Sequence, residues 1–513
     1  MGNSKNTDPL DDERYQLDTA MELSNINNEE EDDDDNDNAN TNDNDENHKE
    51  KRERERKLVR KITWAFIPWL CLVELVQLTD KQILSSAAVM GIYEDTKIDQ
   101  WQFSMLGSIL YVGILVFQAP NAYLIQKLPI AKYFGAAIFS WGCVVAFTAL
   151  CTDFGGLATV RFLLGLLEST VYPCIFLLIS TFYRRSEQVI WYGAVIISSE
   201  VLSIVSGLAI YAIGHMDKLG GISSWKWAQI IWGAITLFVG GGVFFFLPDK
   251  PKSRWFRLTP TETVIVDERT RDNAVVRNKQ FKVAHVIEAV KEPRLYCYCL
   301  TVIMISMQSG AIGLYGALLV KNMGFTNLDA LALGIPQRFV SITLLCTAMY
   351  FSHKFKEIGY VGASAFVLSF IGVLLLRVLP DGAIKLVGYY FSPVNAGYVM
   401  IVTSASNNVA GYTKKIFYNG CILTALCVGN MIGPLLMTES DSPRYTRAFS
   451  IYMVADLIAI ALSLILRCMH VRDNHQKKES LEQGKVHTLV GDRNKLFTID
   501  LTDIEDPYYV YRI

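Results

Sequence analysis

The chain has no CxxC pair, no metal-ligand spacing among its histidines and cysteines, and no GxxxxGK[ST], HExxH or GxSxG string. These gaps argue against nucleotide-driven chemistry, zinc hydrolysis and a serine-nucleophile hydrolase. Charge is scarce as well. Only 19% of the 513 residues are charged against 51% hydrophobic, where a soluble chain carries about 25% charge. No cleavable leader is expected, since the first apolar run begins at Ile62 behind a long hydrophilic tail, so the first spanning helix is expected to direct insertion itself. A secreted enzyme, a nucleic-acid binder and a soluble two-domain protein all fit poorly. The ten cysteines lie in or beside apolar segments and read as small core hydrophobes.

The formal charge of −3 hides strong segregation. Acids crowd the first fifty residues, with Glu29–Asp35 entirely acidic. Bases follow from Lys49 to Lys61 and crowd the middle of the chain again. Residues 1–57 read as a disordered acidic tail, because they have little to bury. The basic run after it reads as a positive-inside anchor or as a lipid-headgroup patch.

Apolar runs near 62–92, 101–126, 131–151, 157–181, 190–214 and 227–247 precede a polar stretch from Pro248 to Pro293. Six more follow, near 295–320, 328–352, 358–378, 384–409, 416–437 and 446–470. At about 20 residues per crossing, this predicts an all-α membrane protein with twelve spans. The expected domains are the 1–57 tail, a six-helix half over 58–248, a central cytosolic loop over 249–293, a second half over 294–471, and a cytosolic tail over 472–513. Basic residues concentrate on the N-terminal side of the membrane, which predicts that both termini are cytosolic. Two six-helix halves form the layout of major facilitator carriers, which rock about a site near the midplane.

An ionisable group at mid-membrane costs roughly 2.5–3.5 kcal/mol on insertion scales, so each one calls for an explanation. In the first span Glu74, Gln77 and Lys81 share one helical face, with Asp80 on another. The stripe reads either as a cavity wall whose lysine attracts an anion, or as a structural Glu–Lys pair. Arg161 and Glu168 in the fourth span are two turns apart, with Gly165 between them open to a neighbouring backbone. They read as a pair that alternates between each other and substrate or proton, or as static packing. Glu200 lies among Ser199, Ser203 and Gly207 and is a further candidate proton carrier. Arg338 is the strong cation of the eighth span, either a second anion contact or a snorkelling side chain. Asp456 reads as structural.

Several strings resemble one family. RFLLGLLESTVYP (Arg161–Pro173) with STFYRRSEQ (Ser180–Gln188) is similar to the fourth-helix signature of the anion:cation symporter branch of the major facilitator superfamily. NNVAGYTKK (Asn407–Lys415) and GNMIGPLLMTESDSPRY (Gly429–Tyr445) resemble the tenth- and eleventh-helix signatures of the fungal allantoate permease family. FFFLPDKPKSRWFRLTPTE (Phe244–Glu262) and TDKQILSSAAVMGIYED (Thr79–Asp95) resemble its sixth-helix exit and first helix. The tail DLTDIEDP (Asp500–Pro507) is similar to a C-terminal motif of one fungal sub-branch.

The resemblance implies proton-coupled uptake of a small organic anion such as allantoate, nicotinate, pantothenate, biotin, cysteine or another carboxylate. It implies no cofactor, no metal and no nucleic-acid partner, and a monomer in a lipid bilayer, most simply the plasma membrane or else an internal one such as the endoplasmic reticulum. By motif, Lys81 stands at the first-helix cation, and Arg161 and Glu168 stand at the fourth-helix Arg and Glu. Gln77, Gln118, Asn121 and Arg338 join the substrate-binding set, and Glu74 and Glu200 join Glu168 as proton-coupling candidates. Gly165, Asn408, Gly411, Lys414, Gly429, Gly433 and Pro434 form the conformational motifs. Three departures touch the expected cavity: Gln82-Ile83-Leu84 after Lys81, Gln118 in place of the second-helix Glu, and Arg338 in place of a small or apolar residue. A non-transporting nutrient sensor on a carrier scaffold is the alternative. Retention of Arg161 and Glu168 together favours the carrier, and the Pro of the antiporter motif is missing from the fifth span.

Overall fold

The computed structural model describes residues 40–253, 256, 258–274, 282–482, 501–506 and 508–513. Its contacts divide the chain into two units, 1–61 and 62–513. The tail expected to be disordered over 1–57 lies outside the described residues as far as residue 39. Beyond it the expectation is corrected, because Asn40 opens a helix, α1 (Asn40–Ala87). From Lys49 the helix is rich in Glu, Lys and Arg, which are good helix formers, and carries an i,i+4 pair, Glu53–Lys57 at 2.9 Å.

The first half then runs through α2 (Gln100–Lys127), α3 (Ile130–Thr148), α4 (Phe154–Glu168), α5 (Val171–Phe182), α6 (Arg185–Gly214) and α7 (Ser224–Phe246). Asp99 starts α2 with a capping box to Gln102, and Asp153 caps α4. The central segment is not a plain loop. It carries α8 (Pro260–Ala274) and the amphipathic α9 (Val283–Lys291). The second half comprises α10 (Pro293–Asn322), α11 (Asn327–Phe355), α12 (Gly359–Val378), α13 (Leu386–Phe391), α14 (Asn395–Asn408), α15 (Tyr412–Leu435) and α16 (Thr446–Glu482).

Eleven stretches among the described residues are helical, long and apolar enough to cross a membrane. Two expected spans are interrupted. The fourth breaks at Ser169-Thr170 between α4 and α5, three residues before Pro173. The tenth, expected as one helix over 384–409, breaks at Ser392-Pro393-Val394 between α13 and α14. Pro393 has no N–H to donate to the helical ladder, so the hydrogen-bonding of α13 stops there although Ser392 itself keeps helical geometry. Within a span, such a break is tolerated where it is enclosed by protein or lines a cavity.

Packing within each half follows small residues. A Cβ at Gly240 would meet the backbone of Phe139, so α3 and α7 run in close contact. Gly429 and Gly433 do the same for α15 against α10, where a Cβ would collide with Ile303 and Met307. Lipid tails are as apolar as leucine, so such close backbone approach supplies much of the helix–helix attraction.

Candidate functional site: buried charges at the interface of the halves

The α2–α4 crossing sets the depth of the site. A Cβ at Gly165 would fall on the carbonyl oxygen of Leu110, and one at Gly113 on that of Phe162. This contact draws Arg161 and Glu168 of α4 into the protein, 2% and 3% exposed. They do not pair with each other. Seven residues separate them along α4, about 10 Å of rise, and each meets α1 instead. Glu168 Oε1 lies 2.6 Å from Lys81 Nζ and accepts a hydrogen bond from Gln77 Nε2 at 2.9 Å. Arg161 faces Asp80, with 4.0 Å between Nη1 and Oδ2. The expected Arg161–Glu168 pairing is therefore replaced by two cross-helix pairs, and Asp80, assigned no role from sequence, supplies one of them.

Glu74 is fully buried, and neither of its carboxyl oxygens has a hydrogen-bond partner. An unpartnered ionised carboxylate there would cost several kcal/mol. Lys81 differs, since its side chain is surrounded by protein yet 34% of it is reachable from solvent. Tyr111 and Tyr172 stand close enough to its ammonium to interact electrostatically. So do Tyr398 of α14 and Cys427 of α15, from the other half. The Lys81–Glu168 pair thus faces the interface between the halves. Asn121 does not. Its Nδ2 donates to Ser169 O (3.0 Å) and its Oδ1 accepts from Tyr133 (2.8 Å), so it fastens the break after Glu168. Gln118 is half-buried and has no protein hydrogen-bond partner among the described residues.

A second polar chamber of about 140 Å³ lies between the halves, lined by Gln82 and Ser203 on one side and by Arg338, Ser341, Tyr389 and Asn395 on the other. Asn395 Nδ2 donates across the interface to Glu200 Oε1 (3.0 Å) and also to Ser341 Oγ (3.2 Å). Arg338 interacts electrostatically with Glu200 and Tyr389. Asn395 and Ser341 were not singled out in sequence. The usable signal was Pro393 inside an apolar run.

On the face away from the termini the halves are joined. Ser104 Oγ lies 2.5 Å from the Tyr315 hydroxyl and donates to Pro434 O at 3.0 Å. Ser108 Oγ donates to Met431 O (2.7 Å), and Gln100 Nε2 to Met437 O (2.8 Å). These bonds fasten α2 to α10, α15 and the turn after α15.

On the terminal face the Asn407–Lys415 string meets part of the expected C-terminal tail. Residues 501–506 and 508–513 pack onto the second half. The Asn408 side-chain amide donates to Arg512 O (2.8 Å) and accepts from Arg512 N (2.7 Å), Ile358 N donates to Ile513 O (2.7 Å), and Tyr509 donates to Asn407 O (2.6 Å). Lys414, fully buried, lies 2.7 Å from Asp503 and 2.8 Å from Glu288, and also pairs with Glu292. These three acids converge as a cation site would, but the lysine ammonium already sits among them. Gly411 takes φ +87, with Thr502 and His285 beside it, a conformation that disfavours any side chain. Within the expected tail over 472–513, these residues are packed on the second half and α16 continues to Glu482. The rest of that expectation, 483–500, lies outside the described residues.

Interrupted spans, charges held at a two-half interface and a face sealed by α2 and α15 define a multi-pass membrane transporter. The chain belongs to the Major Facilitator Superfamily, whose model matches residues 70–434. It is 30% identical over 478 residues to an uncharacterized transporter of Schizosaccharomyces pombe, covering 89% of this chain and 88% of that one. It is 28% identical to the allantoate permease of Saccharomyces cerevisiae (89% and 86% covered) and 26% identical to the high affinity cysteine transporter of the same yeast (89% and 90%). Among solved structures, it resembles a bacterial homolog of the human lysosomal transporter Spinster in an inward-facing and occupied conformation. That match has a TM-score of 0.62 at 12% identity, over 79% of this chain and 97% of that one, and it speaks to the fold alone.

Proposed function

We propose that the protein imports a small organic anion together with protons by alternating access, across the plasma membrane, with both termini in the cytosol. In this reading 58–248 and 294–471 rock as two bodies about the interface. The observation that carries it is the Lys81–Glu168 pair, whose two members come from different spans and whose lysine is reachable from solvent. An anion entering the interface competes with Glu168 for positive charge. Once its counter-ion is drawn away, the buried Glu168 carboxylate is stable only with a proton. Anion and proton therefore bind together, which is the requirement of symport. Glu74, without a hydrogen-bond partner, and Glu200, held by Asn395, are the other carboxyls on the path.

The yeast relatives named for allantoate and cysteine support a small carboxylate-bearing solute. The test is uptake of labelled carboxylates, vitamins and sulfur amino acids into cells expressing the protein, with and without an inward proton gradient. Accumulation that collapses with the gradient supports the carrier. Binding without uptake of any of these solutes would favour the sensor instead.

A further inference from the structure

Asp456 of α16 is fully buried in the second half, and neither of its carboxyl oxygens has a hydrogen-bond partner among the described residues. No cation compensates it. Among the described residues no Lys, Arg or His nitrogen lies within 4.0 Å of the carboxyl, and the polar side chain that bears on it is the Ser369 hydroxyl of α12. The hydrogens around it are already committed. Ser369 Oγ donates to the carbonyl of Ser392 (3.2 Å), at the break between α13 and α14. Gln308 of α10 gives away both amide hydrogens, one to Ser369 Oγ (2.8 Å) and one to the same Ser392 carbonyl (2.6 Å), while its buried Oε1 has no partner. Ser392 Oγ donates to Tyr389 O (2.9 Å), and Tyr452, one turn before Asp456, donates to Gly433 O (2.8 Å). These donors are spent, and the oxygens left over are acceptors. An ionised carboxylate with neither hydrogen bond nor counter-ion is the costliest occupant of such a place, and a proton on the acid is the smallest addition that supplies a donor.

The cluster is built onto the break. A Cβ at Gly372, one turn beyond Ser369, would meet the backbone of Phe391 and Ser392, so α12 presses directly on it. Three residues past Ser392, Asn395 reaches across the interface and donates to Glu200 of the first half (3.0 Å). The carbonyl that collects the donors and the amide that ties the halves together therefore sit within four consecutive residues. We propose that Asp456 is a proton-binding site of the second half, which holds a proton while the break is closed on Gln308 and Ser369 and releases it when the break opens. Opening withdraws the Ser392 carbonyl from two hydrogens, one on Ser369 Oγ and one on Gln308 Nε2. Both are then free to turn to the carboxylate, which favours its charged form, and the proton leaves to water. Movement of the halves reaches the acid through Asn395. The site is separate from the Lys81–Glu168 pair, and its test needs no substrate, so its failure leaves the carrier reading untouched.

The test is infrared difference spectroscopy of the full chain in lipid nanodiscs as pH is raised from about 6 to 10. A protonated acid shows a carboxylic C=O stretch that a carboxylate lacks. Wild type at neutral pH should show such a band, which Asp456→Asn loses and Glu74→Gln keeps. In Asn395→Ala the tie to Glu200 is cut while Arg338 still bears on that glutamate. There the Asp456 band should disappear about one pH unit lower than in wild type, a change that an acid packed statically would not show. If Asp456→Asn does not fold, heavy-carbon labelling of aspartate in wild type assigns the band, because Asp80, also buried in the spans, faces Arg161. A wild type without the band at neutral pH overturns the site, and an unfolding midpoint raised by sodium chloride but not by choline chloride would then give the carboxylate to a metal cation. A band that titrates alike in wild type and Asn395→Ala overturns the link to the break.

Discussion

Lys81 of α1 and Glu168 of α4 share a 2.6 Å ion pair that the Gln77 amide reinforces. The glutamate is almost fully enclosed and the lysine is not, so the pair is asymmetric. Whatever enters the interface meets the ammonium first. The carboxylate behind it depends on that ammonium for its charge.

Lys81→Ala is expected to abolish uptake while the protein still reaches the membrane. The remaining Glu168 charge is left buried and unpaired, which costs about 3 kcal/mol, the lower end for a broken buried pair because Lys81 is partly solvated. The double variant Lys81→Ala/Glu168→Gln should recover most of that stability without recovering transport. Unfolding midpoints and uptake on wild type and the two variants check both halves of the statement. Normal uptake by Lys81→Ala would remove Lys81 from the mechanism.

Glu168→Gln fixes the neutral form in a similar shape. Counterflow of substrate in vesicles should survive, because the interface still alternates. Accumulation driven by a pH gradient should disappear, because the titrating group is gone. If Glu168→Gln still concentrates substrate in response to the gradient, coupling passes to Glu74 or Glu200.

Twelve apolar runs, the two-half layout and the sparse membrane charges were legible because each is written locally, in hydropathy and helical spacing. Partner choice was not. Glu168 and Arg161 look like one unit on the α4 wheel, and only the Gly165–Gly113 crossing, a tertiary contact, turns them toward Lys81 and Asp80. Pro393 and Pro173 signalled that the tenth and fourth spans are interrupted, yet an average over a window of apolar residues hides a three-residue break. Asn121 looked like a cavity residue by motif, and its real partners, Ser169 and Tyr133, are visible only in three dimensions. The last miss was the C-terminal segment. Its acidic, polar composition reads as a tail until Lys414 is known to be buried and in need of Asp503.

Glu292 gives a pH signature outside the membrane. Burial pushes its carboxyl above the ordinary value of 4.5, while hydrogen bonds from Lys414 and Tyr418 pull it partway back. A carboxyl raised in the folded state binds a proton on folding, so its contribution to stability grows as pH falls through the folded value and is complete below 4.5. Glu292→Gln removes this dependence. Subtracting its unfolding midpoints from those of wild type between about pH 7 and pH 4.5 should leave a difference that favours wild type progressively toward acid. A difference of the opposite slope would show that the ion pair with Lys414 dominates over burial.

Asp503 holds the C-terminal segment down by binding three donors at once. It meets Lys414 at 2.7 Å, accepts from the Tyr511 hydroxyl at 2.9 Å and lies 3.4 Å from Arg294, whose other arm pairs with Asp473 at 2.5 Å. In Asp503→Ala, Lys414 keeps Glu288 and Glu292, and Arg294 keeps Asp473. Neither cation is orphaned, so the transmembrane body should remain folded. The segment itself loses its anchor, and the part-buried Lys477 bonds to Asp503 O (2.5 Å) and Asp506 O (2.9 Å) reach only backbone carbonyls and do not replace the lost carboxylate. Hydrogen exchange of the amides at Ile358 and Arg512, which are bonded across this contact, should accelerate by at least tenfold, corresponding to a loss of about 1.4 kcal/mol in local stability. Removing residues 501–513 altogether should go further, because it opens the Lys414 cluster to water and frees Asn408 and Gly411 at the end of α14. Exchange at Ile358 that is unchanged in Asp503→Ala would show that backbone bonding alone, and not the buried charge, holds the segment in place.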